Sequence, residues 1–120
     1  MSPPPLLWLV AFIWTVALEL PIYVLFLRRR FKAWWAPCLL TLAVDVVTHP
    51  ALWYVVPRFE PHEAWLALAE GGVVFVEGVL VALALSRRPS ASDVWDAMSS
   101  SLAANAFSTE AGLYMLPLFL

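Results

Sequence analysis

Charged residues, cysteines and glycines are all scarce in this chain of 120 residues. Only 13% of its residues are charged, about half the share of a typical soluble domain. Cys38 is the single cysteine, which excludes an internal disulfide and any metal motif built from several cysteines. The sequence also lacks the Walker A, G-x-S-x-G, H-E-x-x-H and G-x-G-x-x-G motifs, so the common nucleotide-binding, hydrolase and zinc-protease signatures do not apply.

What the sequence has in abundance is apolar residues. They make up 62% of the chain, and the mean hydropathy is +0.81. Four stretches come close to the ~20 residues that cross a hydrocarbon core ~30 Å thick: residues 6–27, 33–56, 64–85 and 93–116. Because the connections are short, consecutive helices should pack antiparallel. The sequence therefore predicts an all-α polytopic membrane protein, an up-down four-helix transmembrane bundle forming one domain over residues 1–120.

The basic residues predict the orientation of this bundle. Six of the seven lie in the first and third connections: Arg28, Arg29, Arg30, Lys32, Arg87 and Arg88. The second connection carries only Arg58. By the positive-inside rule, the first and third connections face the cytoplasm and both termini lie outside a bacterial-type inner or plasma membrane. The N-terminus has no basic region, and no small-residue cleavage site follows the first apolar run, so we expect that span to be retained.

Five acidic side chains fall inside the predicted spans, with no lysine or arginine beside them there. They are Glu19, Asp45, Glu70, Glu77 and Glu110. An ionised carboxylate at the centre of a bilayer costs roughly 3 kcal/mol unless a proton, a partner or a cation neutralises it. Acids in these positions therefore indicate function, or hydrogen bonding between helices as the simpler alternative.

Helical periodicity gathers most of these acids onto inward-facing stripes. Asp45 and His49 lie one turn apart, and Glu70 and Glu77 are one heptad apart on the next span. A rise of ~1.5 Å per residue places His49 level with Glu70, and Asp45 level with both Glu77 and Glu19 near the midplane. On the last span, Ser101, Asn105, Ser108 and Gly112 share one side, whereas Glu110 points roughly 160° away from it.

The chemistry of these side chains favours a cation site. We predict that Asp45, His49, Glu70 and Glu77, with Glu19 opposite, bind and could translocate a proton or a divalent metal ion. Oxygen-rich ligand sets suit hard or borderline cations. Zinc is less well matched, because its sites use mainly histidine and cysteine ligands and only one histidine lies in these spans. A divalent metal is accordingly the one candidate cofactor, its identity left open. No residue is assigned a catalytic role, and the absence of catalytic motifs weighs against an enzyme.

Two other functions remain open at this point. The protein could be a non-catalytic accessory or assembly subunit of a larger membrane complex, its acids paired with basic residues of a partner. It could also be a metal-dependent intramembrane enzyme acting on a lipid-like substrate. The expected partners are the lipid bilayer and either further copies of this chain or another membrane subunit. Nucleic acid is not expected, because the run from Arg28 to Lys32 is better explained by topology.

Overall fold

The computed structural model describes residues 5–115 and shows four α-helices across them, with no β-strand in that range. They are α1 (Pro5–Leu27), α2 (Trp35–Tyr54), α3 (His62–Leu85) and α4 (Ala91–Met115), and a 3-10 turn (Arg28–Arg30) follows α1. The predicted all-α, four-helix architecture is confirmed. Each helix end lies within two residues of its predicted position, a difference that normal fraying of helix ends accounts for.

The four helices surround a common axis. Each packs against its neighbours in the sequence, and α4 packs against α1, which closes the ring. The molecule is 41 Å long and 22–25 Å across, the proportions of a bundle whose helices run nearly parallel to its long axis. Gly78 allows α3 to approach α4 closely, because a Cβ atom there would lie 2.3 Å from the sulfur of Met98.

The surface and the interior of this bundle have reversed polarity compared with a soluble protein. Large apolar side chains such as Leu25, Val46 and Phe75 are more than half exposed. Much of the interior is polar, and its buried side chains include the following: Glu19, Thr41, Asp45, Thr48, His49, Glu77, Ser100, Ser101, Asn105 and Ser108. An apolar exterior of this kind suits contact with lipid, which is as apolar as leucine.

Three helices, α1, α2 and α3, are long and apolar enough to cross a membrane. α4 has 25 residues and is more polar than the other three. Several serines and an asparagine contribute to this polarity, and their side chains are buried in the interior. These small side chains lower its hydropathy without reaching lipid. That α4 also crosses the membrane, and in which direction the bundle is inserted, remain predictions.

The end of the bundle that carries the basic connections is tied together by polar contacts. Ser90 and Asp93 form reciprocal hydrogen bonds, in which each backbone N–H donates to the other side chain, a capping box that starts α4. Arg30 forms ion pairs with Asp93 and with Asp96, the latter at 3.0 Å. The turn after α1 is thereby held against the beginning of α4.

Candidate cation-binding site

Glu77 is the point where all four helices meet. This α3 side chain is 1% exposed and accepts one hydrogen bond from each of the other helices. Tyr23 Oη of α1 donates at 2.7 Å and Asn105 Nδ2 of α4 at 2.8 Å, both to Oε2. Thr48 Oγ1 of α2 contacts Oε1 at 2.6 Å. The carboxylate is thus held rigidly, and its position depends on the docking of every helix.

Two further carboxyl groups lie beside Glu77. One oxygen from each of Glu19, Asp45 and Glu77 lies within 4.8 Å of the other two. Glu19 Oε2 accepts a hydrogen bond of 2.8 Å from Ser108. By contrast, Glu19 Oε1 and Asp45 Oδ2 are buried and have no hydrogen-bond partner among the described residues. We call these three residues the carboxylate cluster, and two of its acceptor oxygens lack a donor in the described part of the chain.

A cavity of about 420 Å³ connects the carboxylate cluster to one end of the bundle. We call it the acidic cavity, and Arg58, His62 and Trp65, which line it at the α2–α3 connection, form its mouth. The Arg58 guanidinium lies 4.5 Å from the centre of the Trp65 ring. Arg58 is the only lysine or arginine among the described lining residues, so the carboxylate cluster has no basic neighbour deep in the cavity.

The opposite side of the carboxylate cluster is closed. There the interior is filled by Tyr23, Leu27, Val44 and Val81, which are 0–2% exposed and pack into one apolar cluster. We call these four residues the apolar plug. In this structure the carboxylate cluster is therefore reached from the mouth and not from the end that carries Arg28–Arg30.

Glu70 and His49 lie along the wall of the acidic cavity, outside the three-carboxylate group. Nε2 of His49 lies 3.4 Å from the hydroxyl of Thr15, and its ring packs against Phe12 and Trp53 with centroid distances of 5.5 and 5.9 Å. His49 Nδ1 is buried without a hydrogen-bond partner in the described part of the chain. The predicted pairing of His49 with Glu70 remains a prediction.

Four residues that hold the carboxyl groups were not assigned to the site from the sequence. Asn105 and Ser108 lie on the polar side predicted for the last span, and Tyr23 is one helical turn from Glu19, but none of them was singled out as a partner of the acids. Thr48 was left out, although it lies three residues from Asp45 on the same helix face. Glu110, predicted to point away from the other acids, is exposed.

The ligand atoms of the carboxylate cluster are oxygens, which suit Mg²⁺, Ca²⁺ or Mn²⁺ among metal ions. Comparisons with known protein families, characterised proteins and solved structures found no match to this chain. The aromatic walls formed by Trp14, Trp53 and Trp65 also suit an organic cation, because tryptophan attracts positive charge over its ring face. The carboxylate cluster therefore has the composition and spacing of a group that could hold a metal ion.

Proposed function

We propose that this protein binds a cation within the membrane, at the carboxylate cluster of Glu19, Asp45 and Glu77. The observation that carries the proposal is the pair of buried, unpartnered oxygens on Glu19 and Asp45 beside a third carboxylate. The acidic cavity supplies a route to these oxygens from the α2–α3 connection.

The energetics show that the three carboxyl groups cannot all be ionised without a positive charge beside them. Two ionised carboxylates 4.8 Å apart repel each other by roughly 3 kcal/mol at an effective dielectric constant of about 20. A hydrogen bond between membrane helices contributes about 0.6 kcal/mol on average. The four hydrogen bonds that the cluster accepts from Tyr23, Thr48, Asn105 and Ser108 contribute about 2.4 kcal/mol together at that average, which does not offset the repulsion. The cluster therefore needs a proton or a cation. Glu19 Oε1 and Asp45 Oδ2 are free to bind a cation.

The proposal concerns binding with access from one side. Passage across the membrane would require the apolar plug of Tyr23, Leu27, Val44 and Val81 to open. Binding of a divalent metal or an organic ammonium ion from one side is compatible with a binding protein. It is equally compatible with one conformational state of a transporter.

Binding is tested on the full-length protein in lipid nanodiscs, titrated separately with Mn²⁺, Mg²⁺, Ca²⁺ and tetramethylammonium. Tryptophan emission reports occupancy, since three tryptophans line the cavity, and equilibrium dialysis with metal analysis gives the stoichiometry. We expect at least one of these cations to bind saturably. Glu19→Gln and Asp45→Asn should weaken it by about tenfold or more, the loss of ~1.4 kcal/mol of attraction.

Glu110→Gln is the matched control, because it removes an acid of the same kind from an exposed position on α4. It should leave the affinity unchanged. Absence of saturable binding of all four cations to the wild-type protein would refute the proposal. So would equal losses in Glu110→Gln and Asp45→Asn, because a general effect of net charge would then explain the binding.

A further inference from the structure

A second cavity lies in the seam between α2 and α3. It is about 310 Å³, and its lining is apolar apart from Thr48. Among the residues that line it are Val47, Ala51, Val56, Leu68, Gly72 and Val76. Leu68 is 68% exposed and Val47 56% exposed, so this cavity opens on the outer, apolar face of the bundle. We call it the seam groove.

The seam groove adjoins the acidic cavity. Thr48, Leu52 and Val73 line both of them, so the two cavities meet at these three side chains. Thr48 contacts Glu77 Oε1 at 2.6 Å on one side and faces the groove on the other. A single ligand could therefore place an apolar chain in the groove and a positive charge at the carboxylate cluster.

We propose that the cation bound by this protein is the charged end of an amphipathic ammonium compound, whose apolar tail lies in the seam groove. This inference rests on the proposed function and names the chemical class of its ligand. Charge complementarity selects this ligand. Glu19 Oε1 and Asp45 Oδ2 are buried and have no hydrogen-bond partner among residues 5–115, so they suit the charged end. Apart from Thr48, the groove is lined by apolar residues, which suit the tail.

The sizes of the two cavities support the same ligand class. A bare metal ion with its ligands needs far less space than the 420 Å³ of the acidic cavity. Cavities of ~300–1,000 Å³ are those that hold small organic molecules, and both cavities fall in that range. Trp14, Trp53 and Trp65 in the wall add favourable contacts to an ammonium group.

Two adjacent glycines of α3 provide a matched pair of variants. A Cβ atom added to Gly71 or to Gly72 would meet no other atom within 4 Å, so a side chain can start from the backbone at both positions without a clash. Gly72 lines the seam groove, whereas Gly71 is exposed and lines neither cavity. Gly72→Leu should fill part of the groove, and Gly71→Leu adds the same side chain elsewhere. Ala69→Leu, also on the groove, serves as a second filling variant.

The ligands are tetramethylammonium and octyltrimethylammonium, titrated in nanodiscs with tryptophan emission as the readout. Partitioning of the octyl compound into lipid is the same for every variant, so affinities are compared between variants. We expect Gly72→Leu and Ala69→Leu to weaken octyltrimethylammonium by about tenfold, equivalent to roughly two methylenes displaced from burial. Tetramethylammonium should bind these variants as it binds wild type, and Gly71→Leu should change neither ligand.

Three results would overturn the inference. Octyltrimethylammonium could bind all variants equally, which places its tail outside the groove. Octanol could compete as well as the ammonium compound, which makes the groove an ordinary site for a lipid chain. Gly72→Leu could instead change the oligomeric mass, which makes the groove a contact between copies. If Mn²⁺ or tetramethylammonium binds while chain length has no effect, only the inference fails. If no cation binds, the proposed function fails with it.

Discussion

Replacing Glu77 separates the two roles of its carboxylate, which holds the helices together and contributes charge. Glu77→Gln and Glu77→Leu both remove the charge, so the difference between them isolates the hydrogen bonds. In Glu77→Gln, the amide oxygen can accept from Tyr23 and Asn105. Its NH₂ group can donate to the Thr48 hydroxyl, which then donates to the carbonyl of Val44, 3.0 Å away. All three contacts between helices are therefore retained by glutamine and lost with leucine.

The magnitude follows from the number of bonds. Three interhelical hydrogen bonds at about 0.6 kcal/mol each make Glu77→Leu about 2 kcal/mol less stable than Glu77→Gln. The free energy of unfolding is measured by SDS titration in mixed micelles, with tryptophan fluorescence as the probe. At the exposed Glu110, the same pair of substitutions should show no difference or favour leucine. Equal stabilities of the two Glu77 variants would refute the claim that this residue links the helices.

Three further outcomes follow from the structure. Tyr23→Phe removes one hydrogen bond to Glu77 and should lower the free energy of unfolding by about 0.6 kcal/mol in the same SDS assay; an unchanged value would contradict that bond. Asp93→Ala should destabilise the protein by about 1 kcal/mol, because it removes the capping box as well as an ion pair, whereas Asp96→Ala, which loses an exposed pair, should cost a few tenths. Reporter fusions after Lys32 and after Glu63 should report opposite compartments, with Lys32 in the cytoplasm; an external Lys32 fusion would reverse the predicted orientation.

The architecture could be predicted from the sequence because it depends on length, apolarity and charge placement. Runs of about 20 apolar residues and short connections leave few arrangements other than an antiparallel bundle. Helical periodicity also indicates which polar side chains turn inward. Asp45, Glu77 and Asn105 lie on predicted stripes and are buried, while Glu110 was predicted to point elsewhere and is exposed.

The partners of the acids could not be predicted, because they depend on the relative rotation and height of the helices. An error of one residue in register rotates a side chain by 100°. The sequence placed Glu19 at the depth of Asp45 and Glu77, but it did not indicate that His49 would contact Thr15 and aromatic rings. The seam groove could not be predicted from the sequence either, because it depends on how loosely α2 and α3 pack against each other and not on the residues of either helix alone.

The apolar plug, which closes the bundle between the carboxylate cluster and Arg28–Arg30, has an electrical consequence. An ion that enters at the mouth and stops at the carboxylate cluster has passed about half of the way along α2, while the apolar plug keeps the remaining path closed. Where the potential falls evenly along the bundle, that ion has crossed about half of it. A full crossing changes the energy of one charge by about 2.3 kcal/mol per 100 mV, so half a crossing changes affinity roughly sevenfold. A cation bound here would feel the membrane voltage without traversing the membrane.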